Sequence, residues 1–439
     1  MGIKCCPDLG GFPLGRCNFV NLNSLVLNAT LKGYFRFILT FTGMRIDVYS
    51  VIRSVRTFTV LGFLFFWVSL GAQDQVKKQG SDPLQGKVQT DSSKVQELLD
   101  KSTALRGSYP DSAIILSRQA IELADDAGFE TGKALGFKNI GIVHFYRGRY
   151  DEALEAFERS LAVYQKEKDT NGISNLQNNI GSVYQSKGDD PKALSYFIPS
   201  LRNGEIVQDT LRIATALLNI ASIYSNESST FDLAIENFMR LRETFGGMGY
   251  ETGVAVADVN IGEVYLAKGM AREAIPFLEE SLPGFQKDPT MDASTPLNFL
   301  GAASFKLKQL DQAESYYSEA IAIAKENKNL AEESKALIGL GDLAKSRRNY
   351  PQAIEYYRSG LDLATQTGVL YDQEDAYKGL AEAYSGLNNF QSAYASFQDY
   401  FEVYDSIRNE NMVRSLGFAR VEFEADQTER ENELLKTRN

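Results

Sequence analysis

The sequence predicts an all-α fold, an α-α superhelical solenoid of about eight helical hairpins. Three observations carry that expectation. Asn139-Ile140-Gly141, Asn179-Ile180-Gly181, Asn219-Ile220-Ala221 and Asn260-Ile261-Gly262 recur at intervals of 40, 40 and 41 residues. An alanine follows each small residue after twelve positions, at Ala113, Ala153, Ala193, Ala274, Ala313, Ala353 and Ala393, with Ala234 displaced by one inserted residue. Four residues further on stands a large apolar side chain: Phe157, Phe197, Phe238, Leu278, Tyr317, Tyr357 and Phe397, with Ser117 breaking the pattern in the first repeat.

Composition narrows the function. The 439 residues carry 46 Lys/Arg and 57 Asp/Glu, a formal charge of −11, so a nucleic acid is not the expected partner. One histidine and three cysteines leave little material for a metal site, and none is expected; nor is a cofactor. The average hides a step near residue 72. Residues 1–72 hold seven Lys/Arg, two acids and all three cysteines, Cys5, Cys6 and Cys17. The remainder carries −16 and no cysteine.

In chain order, residues 1–43 read as an atypical or non-native extension, because Met44 opens an n-region of ordinary length. Arg53 and Arg56 then precede the apolar run from Thr57 to Leu70, followed by Gly71-Ala72-Gln73. This describes a signal peptide over 44–72, with cleavage after Ala72 and export to a bacterial periplasm or envelope. The alternative is an uncleaved leader that associates the chain with a membrane. Residues 73–93 are polar and read as a flexible tether. Gly80-Ser-Asp-Pro-Leu-Gln-Gly86-Lys87 lies there, but five residues separate its glycines and Val88 follows the lysine, which is not a phosphate loop.

Residues 94–405 hold the hairpins. A small residue on helix A (Gly141, Gly181, Gly262, Gly301, Gly341) and the alanine on helix B let the two helices approach closely. The bulky residue on helix B then fills the space towards the next hairpin. Arg147-Gly148-Arg149-Tyr150-Asp151, Lys187-Gly188-Asp189-Asp190-Pro191 and Lys268-Gly269-Met270 supply turn chemistry: glycine ends helix A, while Asp or Pro opens helix B. No hairpin buries its apolar face alone, so stability is expected from stacking.

The pattern Leu-Gly, then Tyr184, Tyr224, Tyr265 or Tyr384, then Gly-x-Tyr/Phe, Ala and Phe/Tyr resembles the tetratricopeptide repeat. The family unit has about 34 residues; units near 40 resemble its long-repeat, kinesin-light-chain-like type. The resemblance implies a binding scaffold for a protein or peptide and assigns no single function.

No G-x-S-x-G, H-E-x-x-H or C-x-x-C occurs, and the expectation is a protein that is not an enzyme. His144 replaces a helix A tyrosine and reads as a packed interface residue. The feature that points to binding is the asparagine ladder Asn139, Asn179, Asn219 and Asn260. The resemblance places this helix A position on a concave groove, where an amide both donates to and accepts from an extended peptide backbone. The other reading is that these amides satisfy neighbouring helices. Asn175, Asn178, Ser182, Ser222 and Glu263 add side-chain chemistry beside them, and Asp342 and Glu382 face Lys345 and Lys378 further on. The ladder ends at Phe299, Gly339 and Gly379.

Residues 406–439, with Met412, Val413, Leu416, Val421 and Phe423, read as a capping or output helix. Asp405-Ser-Ile-Arg-Asn-Glu and the later Glu-Asn-Glu-Leu-Leu435 resemble the segment that joins such sensors to outputs in envelope signal transducers of Bacteroidetes-like bacteria. That resemblance implies a second function: the input module of a transducer whose kinase, cyclase or DNA-binding output is missing or on another chain.

Overall fold

The computed structural model describes residues 83–408, with side chains from residue 91. The extension 1–43, the leader 44–72, the three cysteines and the tail beyond 408 lie outside the described residues.

Helices follow one another with turns of a few residues. α1 (Pro83–Leu105) and α2 (Pro110–Asp126) form the first hairpin, α3 (Glu130–Tyr146) and α4 (Tyr150–Glu167) the second, and α5 (Thr170–Ser186) and α6 (Asp190–Val207) the third. α7 (Thr210–Tyr224), a 3-10 turn at Ser228–Thr230 and α8 (Phe231–Gly247) make the fourth. α9 (Glu251–Ala267) with α10 (Ala271–Lys287), α11 (Ser294–Lys306) with α12 (Leu310–Asn327), and α13 (Leu330–Ser346) with α14 (Tyr350–Thr367) complete the next three. α15 (Leu370–Gly386) pairs with a helix that runs from 390 to the last described residue. Helix α1 begins at Pro83, inside the stretch 73–93 read as a tether, so the last eleven of those residues belong to the first helix instead.

Most turns are closed by a residue in the left-handed region, again at intervals near 40; those at 106–109, 225–230 and 288–293 have none. Gly148, Gly188 and Gly269 occupy it between helices A and B, as expected, but Lys308, Arg348 and Asn388 do the same work without being glycine. Between hairpins the position is held by Gly128, Lys168, Gln208, Gly249, Lys328 and Gly368. Asp169, Asp189 and Asp209 cap α5, α6 and α7, each accepting the N–H three residues on at 3.0 Å. These caps fix where α5, α6 and α7 start.

Packing follows the predicted small-to-large register. A methyl group added at Gly141 would lie 2.5 Å from the Phe157 ring, and at Gly181, Gly262, Gly301 and Gly341 the same test meets Phe197, Leu278, Tyr317 and Tyr357 at 2.6–2.7 Å. Ala153, Ala193, Ala274, Ala313 and Ala353 are fully buried. Ala393 is only half-buried, and Phe397 is exposed, because no described helix follows to cover them. Ser117 is also buried: its hydroxyl meets that of Ser102 at 2.7 Å, so the first hairpin closes through a polar pair where others use a large apolar side chain.

Two tyrosines reach beyond their own hairpin. Tyr317 packs against Gly301 and also Gly339 on the next A helix, and Tyr357 against Gly341 and Gly379. Gly339 and Gly379 stand where earlier repeats carry the ladder asparagine. A side chain there would collide with the tyrosine ring at 2.3 Å, so tyrosine on helix B excludes asparagine at these two positions; at Phe299, where the ladder first breaks, the preceding B helix carries Leu278.

Candidate functional site

The odd-numbered helices are the A helices. Consecutive A helices touch one another along most of the array, whereas consecutive B helices hardly touch. A stack whose members meet on one side and separate on the other is curved, with the A helices on its inner face. The line is thinnest between α7 and α9, where the inserted residue and the 3-10 turn sit. Successive A helices bring equivalent positions side by side on this inner face, and it forms the candidate site.

The ladder amides differ in their surroundings. Asn139 is buried on α3 and donates back to α1, to the Leu99 carbonyl at 3.4 Å and the Thr103 hydroxyl at 3.3 Å. Asn219 is buried on α7 and donates to Asn178 Oδ1 on α5 at 3.1 Å. Asn179 and Asn260 are half-buried. Asn179 meets the Asn175 amide at 3.2 Å, and Asn260 donates to the Val256 carbonyl of its own helix at 2.7 Å. Asn175, turned so that its oxygen faces the Arg212 guanidinium, accepts from Nη1 at 2.9 Å and Nη2 at 3.2 Å. Ser182 is half-buried and donates to the Asn178 carbonyl at 3.0 Å, while Glu263 is exposed on α9. Two amides thus link A helices to one another, and two stand more open, Asn179 beside Asn175 on α5 and Asn260 on α9.

Charged side chains that the repeat phase does not mark share this face. Lys138 on α3 is pushed down to about 8, by burial first and then by Arg212 and Arg106. Burial also lowers Arg212, offset by Asp209, whose carboxylate lies 3.6 Å from Nη2. Towards the other end, Lys335 on α13 is held charged by Glu332, 3.1 Å away, and by Asp372 and Glu263. Asp372 is 7% exposed, its Oδ2 has no hydrogen-bond partner, and burial raises it to about 6. Lys345 bridges Asp342 and Glu382, both at 2.8 Å. His144 is half-buried, its Nδ1 is unpartnered, and burial lowers its pKa. Among the described residues no group of His, Cys, Asp and Glu gathers as a metal site, and no helix is long and apolar enough to cross a membrane.

Lys138, Arg106, Arg212, Lys335 and Asp372 escaped the sequence reading because none recurs in phase. Lys138 senses Arg106 and Arg212, and Lys335 senses Asp372, each across repeats.

Residues 130–203 and 292–366 match a tetratricopeptide repeat family model. The hairpins outside those stretches have the same helix pairing, and the matched stretches are tetratricopeptide repeats. No curated protein matches it. Among solved structures, a Rap protein complexed with Competence and Sporulation Factor is 15% identical, with a TM-score of 0.50, covering 73% of this chain and 99% of that one. The apo quorum sensor NprR from B. thuringiensis is 14% identical with a TM-score of 0.52, covering 81% of this chain and 95% of that one. A signal-transduction ATPase with a tetratricopeptide repeat sensor from Pyrococcus horikoshii is 12% identical with a TM-score of 0.53; the match covers 84% of this chain and 55% of that one. At such identities these likenesses establish the fold.

Proposed function

We propose that the chain is a non-catalytic scaffold that binds a protein or peptide along the inner face of its A helices. One observation carries the reading: the A helices meet in a line and present half-buried polar side chains, Asn175, Asn179 and Ser182 on α5 and Asn260 on α9 among them. Such groups offer donors and acceptors to an extended backbone. The shared fold of a Rap protein solved with Competence and Sporulation Factor supports it. The fold is equally that of a quorum sensor and of a sensor region in a larger ATPase, which favours a sensor role as the second reading.

Asn179 and Asn260 are the amides to test, because Asn139 and Asn219 are buried in contacts between helices. Replacing both with alanine in the full chain is expected to weaken partner recovery in pull-downs while leaving helicity and the thermal midpoint within a few degrees of the parent. Full recovery of every partner would remove the amides from the site. We further propose that the leader exports the protein; N-terminal sequencing of the native chain is expected to read from Gln73, and a sequence starting ahead of the leader would contradict cleavage.

A further inference from the structure

The helix from residue 390 to 408 carries an aromatic face that nothing among the described residues covers. Phe397 stands forty residues after Tyr357 and eighty after Tyr317, which are 0% and 5% exposed, yet Phe397 is 48% exposed. Phe390, Tyr394 and Phe401 beside it are exposed as well. The Phe397 ring lies 4.9 Å from Phe401 and 5.8 Å from Tyr400 between centroids, so the rings form one continuous patch. Phe397, Tyr394 and Ala393 also line an open cleft against Ala381 of α15. Elsewhere in the array that place is filled: Gly339 closes over Tyr317 and Gly379 over Tyr357, each from the A helix that follows.

The sequence that follows repeats the phase of that covering side. On α15, Asp372, Ala376, Gly379 and Ala383 are buried, and Ala376, Leu380 and Ala383 pack in one cluster with Tyr357. Forty residues on stand Met412, Leu416, Ala419 and Phe423, spaced by four, three and four as one helix face requires. Phe423 continues a series of buried apolar side chains that includes Val183, Ile223, Val264, Leu343 and Ala383. Ala419 stands where Gly379 meets Tyr357; after the phenylalanines Phe157, Phe197 and Phe238 that position holds asparagine, so a β-carbon is accommodated there. The side turned to a further B helix does not continue. Tyr184 stacks on Tyr196 and Tyr265 on Phe277 of their own B helices, but in the same phase stands Glu424. Arg420 replaces Leu380 and is the one polar residue on the covering side; its aliphatic stem is long enough to lie along a ring. We propose that residues 409–426 fold back as one more A helix over Phe397 and its neighbours, with Met412, Leu416, Ala419 and Phe423 inward and Glu424 in water. A segment tethered directly to the face it covers acts at a high effective concentration, which favours it over a second copy or a separate partner. Its apolar side is then occupied within the chain and is not free for an output partner.

Amide hydrogen exchange of the full chain, read by mass spectrometry at two protein concentrations, tests this. Segments within 390–408 and within 410–425 are both expected to exchange slowly, at rates independent of concentration. Leu416→Asp with Phe423→Asp is expected to speed exchange of both segments at least about tenfold while leaving α3 to α10 unchanged, which separates loss of the cover from loss of the fold. Glu424→Ala, on the outward side, is expected to change neither segment. Fast exchange of 410–425 in the parent chain, or a slow 390–408 that the double variant leaves untouched, would overturn the proposal. Protection of 390–408 that grows with protein concentration would assign the face to a second copy and overturn it as well.

Discussion

At the scale of single residues, the inner face holds carboxyl groups in surroundings that oppose their charge. Asp372 is the clearest, with Glu332 and Lys335 facing it from α13 and Asp375 from its own helix. Its pKa is raised to about 6 from 3.8, so between those values the folded chain binds more protons than the unfolded one. Stability from this group therefore falls as pH rises through that window and stays reduced above it. Asp372→Asn imitates the protonated state. It is expected to flatten the stability profile between about pH 4 and 7 and to raise stability at neutral pH by on the order of 1–3 kcal/mol, measured by urea unfolding. A variant less stable than the parent at pH 7 would show that the carboxylate is favourably paired. Asp258 differs: although also buried and raised to about 6, its carboxylate meets Arg242 Nε at 2.5 Å, so its removal is expected to be costly.

At the scale of helices and hairpins, two devices repeat. One is the ring between glycines. Gly379→Ala would drive a methyl group into Tyr357 at 2.3 Å and is expected to cost about 1–3 kcal/mol. Gly107→Ala meets nothing within 4 Å and is expected to be near neutral in the same thermal unfolding series. Equal effects would contradict the exclusion of larger side chains by the tyrosine ring. The other device is a surface pair joining neighbouring hairpins at a separation of 36 residues: Arg147 with Asp111, Lys187 with Asp151, Lys268 with Asp232, and Arg347 with Asp311. Each is exposed and worth little individually. Much of this level was legible in the sequence. Gly141 with Phe157 and Ala153 repeats by simple translation, and translation survives in a one-dimensional pattern. The pairs at 36 residues and the double role of Tyr317 and Tyr357 were not, since each joins a turn or ring of one hairpin to a different position of the next.

At the scale of the whole molecule, stacking turns a repeated hairpin into one continuous face. The asparagine ladder was visible in the sequence; which amides stand open was not. Asn139 and Asn179 share a repeat position, yet one reaches back to α1 and the other meets Asn175, a distinction set by neighbours that differ from repeat to repeat. Nor were Lys138, Arg212, Lys335 and Asp372 legible, since they occupy unlike positions and only the fold brings them onto one side. The central claim is that this side receives the partner. Site-specific photo-crosslinking tests it directly, with a photoreactive residue placed in the full chain at Ser182 or Glu263 on the inner face, or at Glu155 or Glu236 on exposed faces of B helices. A crosslinked partner is expected from Ser182 and Glu263 and none from Glu155 and Glu236. A partner captured only from the B-helix positions would contradict it.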